Sequence, residues 1–162
     1  MKTRHTITAL AENETSVLHR ITSIFTKRKI NIESLTAGDT EHENISRFTV
    51  VFSSELGVVP QLLRAIQKQV EIIEAFASED EGLLYREIAL LCLGFRNIEE
   101  REQLVKIVET NGGQVLLFNR KSIVVEITGG EIEINRFRDL FLNYKLYTFI
   151  RSGRVAVKKY FD

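Results

Sequence analysis

A strand–helix–strand–strand–helix–strand rhythm occurs twice in succession along the 162 residues, predicting an α+β chain of two tandem ferredoxin-like βαββαβ units. Three observations carry this: the alternation of periods, the paired turn signals inside each half, and a short acidic bridge, Ser78-Glu79-Asp80-Glu81-Gly82, between the halves. The expected domains are therefore 1–78 and 83–162.

In the first half, residues 4–12 alternate as a strand. Residues 16–28 place Val17, Leu18, Ile21, Ile24 and Phe25 on one helical stripe. Thr15 is the expected N-cap, and Lys27, Arg28 and Lys29 sit where positive charge suits the end of a helix dipole. Residues 30–37 and 46–53 read as strands around the polar hairpin loop 38–44. Pro60 opens a second helix, where its missing N–H costs little, and Leu62, Leu63 and Ile66 face inward from it. Residues 70–77 form the last strand of this half.

In the second half, strand 86–94 leads to helix 98–110, capped by Asn97 and stopped by Gly112-Gly113. Strands 114–118 and 122–128 flank the turn Asn119-Arg120-Lys121. A helix near 131–143 carries Ile134, Phe137, Leu140 and Phe141 on one side, and a single strand is expected over 146–158. Several strands here are apolar on both sides: Ile88, Leu90 and Cys92 alternate with Ala89, Leu91 and Leu93. Such strands are buried on both faces, so the helix-free face of the second sheet is expected to be covered by another domain or subunit.

Composition narrows the function. Lys plus Arg equal Asp plus Glu at 22 each, which argues against a dedicated nucleic-acid binder. The one cysteine, Cys92, lies in an apolar run and reads as a small buried hydrophobe. Nothing near the start, Met-Lys-Thr-Arg-His onward, is apolar for long enough to be a signal peptide or a membrane span, so a soluble cytoplasmic protein without membrane contact is expected. His5, His19 and His42 are too scattered for a metal site, and no Gly-rich phosphate loop or nucleophile elbow occurs. No catalytic residues are assigned.

The polar junction Glu12-Asn13-Glu14-Thr15-Ser16, between the first strand and the first helix, is the candidate binding feature. Free N–H groups at a helix start suit a carboxylate, and Asn13 can both donate and accept. The plainer reading is that Thr15 and Ser16 only cap the helix and Asn31 only ends a turn.

Specific runs resemble the regulatory (small) subunit of acetolactate synthase. They are Glu12-Asn13 with Leu18 and Arg20, the six-residue Asn31-Ile32-Glu33-Ser34-Leu35-Thr36, Ser46-Arg47 with Thr49, Arg86-Glu87-Ile88 with Leu90, Thr128-Gly129, and Arg151-Ser152-Gly153. The resemblance covers essentially the whole chain. It implies that the first unit is an ACT domain that pairs with a second copy, forming a homodimer around a branched-chain amino acid, usually valine. By that resemblance the effector-binding residues are Asn13, Thr15, Ser16, Val17 and Leu18, with Asn31 and Ile32 reaching the ligand from the neighbouring subunit. It further implies activation of a catalytic subunit that owns the thiamine diphosphate, magnesium and flavin (FAD), with no cofactor in this chain. That catalytic subunit serves valine, leucine and isoleucine biosynthesis.

Two positions depart from the family pattern, which usually has Gly at both: Ser16 and Lys29. Ser16 adds a Cβ and a hydroxyl at the contact point, and a left-handed Lys29 would be strained. Weakened or altered effector binding is the expectation, with activation retained. Three rivals compete. In an RNA-recognition module, Arg47-Phe48-Thr49-Val50-Val51-Phe52 would be the aromatic third strand, but the Gly after the basic residue and an aromatic partner in the first strand are missing. A small enzyme would need a convergence of charged groups that cannot be assembled. An ACT-type sensor of another amino-acid pathway is opposed by the 31–36 run and the second domain.

Overall fold

The computed structural model describes residues 2–159. Strand β1 (Thr3–Glu12) leads to helix α1 (Val17–Lys27), strands β2 (Ile32–Asp39) and β3 (Ile45–Ser54), helix α2 (Val59–Gln67) and strand β4 (Ile72–Ser78). The second round is β5 (Leu83–Gly94), α3 (Ile98–Thr110), β6 (Gln114–Phe118), β7 (Ser122–Gly129), α4 (Glu131–Asp139) and β8 (Lys145–Arg151), after which β9 (Val155–Lys158) follows. The sheets have the orders β2-β3-β1-β4 and β6-β7-β5-β8, antiparallel throughout, and β9 pairs with β5. The α+β class and the doubled unit are as the sequence predicts.

Each unit has its own core on the helical side of its sheet. In the first, Ile7, Ala9 and Ala11 of β1 and Phe48, Val50 and Phe52 of β3 pack against Val17, Ile21, Ile24 and Phe25 of α1 and Leu62 and Ile66 of α2. The second repeats this with Ala89, Leu91 and Leu93 against Leu104 and Val108 of α3 and Ile134 and Phe137 of α4. Period-2 alternation on strands meeting period-3.6 stripes on helices is what forms a two-layer unit.

The helices stop in two ways that share one geometry. Past α3, the Gly113 N–H donates to Val108 O at 2.9 Å and the Gly112 N–H to Glu109 O at 3.2 Å, with Gly112 at φ 79°. Past α1, the Ile30 N–H donates to Phe25 O at 3.1 Å and the Lys29 N–H to Thr26 O at 3.0 Å, with Lys29 at φ 54°. Both are Schellman closures, and only α3 places a glycine at the left-handed position.

Three sequence expectations are corrected. Thr15 does not cap α1: Ser16 occupies the cap position, and its side chain makes no capping bond. The final helix ends at Asp139, not near 143, because the chain from Leu140 to Asn143 tightens into turns closed by Leu140 N–H to Phe137 O and Tyr144 N–H to Phe141 O. The single strand expected over 146–158 breaks at Ser152-Gly153-Arg154.

That break redirects the chain. The described residues form two compact units, one running to Leu84 and including those from Gly153 onward, the other Tyr85–Ser152. Gly153 lies against Thr36 and Leu35 of β2. Arg154 is only 1% exposed and donates to Thr6 Oγ1 of β1 and to both carboxylate oxygens of Asp80. The Lys158 ammonium sits 3.9 Å from the Phe76 ring centroid of β4, and the Lys159 N–H bonds Gly82 O. The segment thus runs across the helix-free face of the first sheet from β2 to β4. Thr6, Thr8, Thr49 and Val51 are all buried. On the second sheet, by contrast, Ile88 is 40% and Ile150 58% exposed.

Candidate functional site

The β1–α1 turn is held by two other loops at the same end of the first unit. The Glu12 N–H donates to Glu71 O at 2.9 Å, from the α2–β4 connection, and the Asn13 N–H donates to Asn44 O at 2.8 Å, from the β2–β3 loop. Asn44 has φ 60°, a left-handed conformation that asparagine tolerates. Inside the turn, the Glu14 N–H bonds Glu12 O and the Val17 N–H bonds Glu14 O. The antiparallel topology, not any local motif, brings these loops together.

The turn leaves donors unused. Among the described residues no acceptor meets the amides of Thr15, Ser16, Leu18 or His19. Neither the Thr15 nor the Ser16 hydroxyl caps the helix, so the reading that they serve only as caps is not met. Four free N–H groups at a positive helix end form a surface suited to a carboxylate. Ser16 has φ −83° and ψ −17°, right-handed backbone open to any residue.

The predicted residues divide into two groups. Asn13, Thr15, Ser16 and Leu18 are exposed around the turn, while the Val17 side chain is buried in the core and its N–H is taken by Glu14 O. Asn31 is exposed and Ile32 half-buried at the far end of α1. Glu12 pairs with Ile45 and Ile32 with Phe52 across β3, a separation of seven residues or about 24 Å along that strand. One protomer alone cannot close both groups on a single small molecule.

Sequence reading missed Asn44 and Glu71. Glu71 also pairs with Arg20 of α1 (Oε1 to Nη2, 3.1 Å), and its other carboxylate oxygen is buried without a hydrogen-bond partner. The βαββαβ order, which puts the β2–β3 and α2–β4 loops at the end where β1 meets α1, was the only signal for either. No cluster of His, Cys, Asp or Glu among the described residues is arranged to hold a metal ion, and no helix is long and apolar enough to cross a membrane.

Comparison with known proteins agrees with this architecture. Residues 7–74 match the AHAS small subunit-like ACT domain family, and residues 86–160 match the family described as small subunit of acetolactate synthase. The probable acetolactate synthase small subunit of Archaeoglobus fulgidus is 33% identical over 95% of this chain and 96% of its own. The acetolactate synthase small subunit of Bacillus subtilis is 34% identical over 93% of this chain and 87% of its own. The crystal structure of the Thermotoga maritima acetolactate synthase small subunit superposes with a TM-score of 0.88 at 24% identity, covering 99% of both chains, and so shares the fold. Two family matches in tandem, and relatives alike along nearly the full length, identify the chain as a member of the acetolactate synthase small-subunit family.

Proposed function

We propose that this protein is the regulatory subunit of acetolactate synthase: it pairs with and activates the thiamine-diphosphate-dependent catalytic subunit and makes it answer to a branched-chain amino acid. Catalysis, with its thiamine diphosphate, magnesium and FAD, belongs to that partner.

The split site is the observation that carries this reading. Strand β2 is an edge strand of the first sheet. A two-fold axis beside it pairs β2 with its copy and lays α1 antiparallel to its copy, as isologous dimers do. That arrangement sets the β1–α1 turn of one protomer beside Asn31 and Ile32 of the other. The free amides of the turn take the ligand's carboxylate, Asn13 and Asn31 orient its polar atoms, and Ile32 meets its branched side chain. A ligand held by two chains favours one dimer arrangement over others, which is the free-energy coupling that allostery requires. The Ser16 side chain narrows the approach to those amides and Lys29 strains the chain just before Asn31, so affinity is lowered while activation persists.

The test mixes the chain with its catalytic subunit and assays acetolactate with and without valine, leucine and isoleucine, alongside calorimetry on the chain alone. Faster turnover with the chain present, and an effector bound more tightly by Ser16→Gly than by wild type, support the proposal. No activation would refute the regulatory role, and micromolar valine binding by wild type would refute the weakened site.

A further inference from the structure

The second unit repeats the loop arrangement of the first. The Phe95 N–H, just past β5, donates to Lys121 O of the β6–β7 turn at 3.1 Å, the counterpart of Asn13 donating to Asn44 past β1. Lys145, at the start of β8, pairs with Gly94 at the end of β5. These loops enclose a recess of about 610 Å³, within the range of small-molecule sites.

The lining of this recess is cationic and aromatic. Arg96 is engaged by Glu100, whose carboxylate accepts from its Nε and Nη2 at 3.1 and 2.9 Å. Lys121 and Lys145 have no carboxylate partner among the described residues. The Lys145 ammonium is held 4.7 Å from the Tyr147 ring centroid, a cation–π contact that keeps it at the wall. Tyr147 closes one side only because residue 94 is glycine: a Cβ there would meet the ring Cε2 at 2.7 Å. Asn143 and Tyr144 also line the recess, Asn143 adding an amide. After the Arg96–Glu100 pair neutralises itself, two positive charges remain beside the Tyr147 ring.

We propose that this recess is a second ligand site, separate from the amino-acid site of the first unit, and that it takes a small phosphomonoester with a planar body. The two ammonium groups of Lys121 and Lys145 match a phosphate dianion, which lysines hold as point charges. The Tyr147 ring supplies the surface for a planar body, and the Asn143 amide adds a polar contact. The site stands independently of the effector reading, since no residue of the β1–α1 turn or of β2 takes part.

Phenyl phosphate is the probe, titrated into the full-length protein and followed by amide chemical shifts. Saturable shifts concentrated at residues 94–96, 121 and 143–147, with the midpoint raised at least tenfold in the Lys121→Gln/Lys145→Gln double variant, are expected. Both lysines are exposed, so the double variant keeps its fold, as its unliganded spectrum would verify. Shifts that fail to saturate, that concentrate instead at residues 13–18, or that titrate identically in the double variant would overturn the assignment.

Discussion

Replacing Lys29 with glycine should stabilise the first unit. Lys29 sits at φ 54° in the Schellman closure of α1, where the matching position after α3 is Gly112 at φ 79°. A side chain with a Cβ pays about 1–2 kcal/mol in the left-handed region. Glycine gives back about 0.4–1 kcal/mol through its larger unfolded-state entropy. The Lys29 side chain is exposed and makes no ion pair among the described residues, so nothing else is lost. The net gain for Lys29→Gly is about 0.5–1 kcal/mol, or a rise in Tm of roughly 2–8 °C for a unit of this size. Calorimetric melting of wild type, Lys29→Gly and Lys29→Ala measures it. Alanine keeps the Cβ and so should melt within about 2 °C of wild type. A glycine variant that melts at or below wild type would refute the strain argument.

Three further outcomes follow from the same geometry. Gly153→Ala brings a methyl onto Thr36 Oγ1 and against Leu35 O, so it should cost about 1–3 kcal/mol in urea unfolding, with part restored by adding Thr36→Ala. Asp80→Asn removes the carboxylate facing buried Arg154 and should cost about 1.5–3 kcal/mol, against under about 1 kcal/mol for Asp139→Asn in the exposed Arg138 pair; equal costs would contradict the anchoring of the 153–159 segment through Arg154. The hydrogen bond from the Arg96 side chain, then the one from its backbone N–H, holds the Glu100 carboxyl below its ordinary value. Its contribution to stability is therefore present above the unfolded carboxylate range and lost as pH falls through the depressed folded value. Carboxyl NMR should find the Glu100 midpoint below that of ordinary glutamates and returning upward in Arg96→Gln.

How much of this was legible in the sequence depends on how local each signal is. Helix α3 was readable end to end because Asn97 caps it, with its Oδ1 accepting from Glu100 N–H at 2.8 Å, and because glycines stop it. Strands β6 and β7 were equally clear around a three-residue turn. The Thr15 cap failed because Asn13, Thr15 and Ser16, all within four residues, offer several cap candidates, and the chain uses a Glu14 carbonyl turn instead. The split of the last strand was invisible because Leu146 to Lys158 alternates well enough to read as one element; what divides it is a tertiary demand, the burial of Arg154 against Asp80 and Thr6. Within the site, Asn13 to Leu18 could be found as a local polar junction. Asn44 and Glu71 could not, because their contacts with the turn arise only once the sheet has formed.

The return of Gly153–Lys159 to the first sheet has a consequence for synthesis. A ribosome makes the chain from its N-terminus, so Arg154, which bonds Thr6 on that face, emerges only after residues 85–152. The first unit therefore waits, with one flank bare, until the whole of the second has been made, and a nascent chain stalled after Leu84 holds a sheet lacking its final layer.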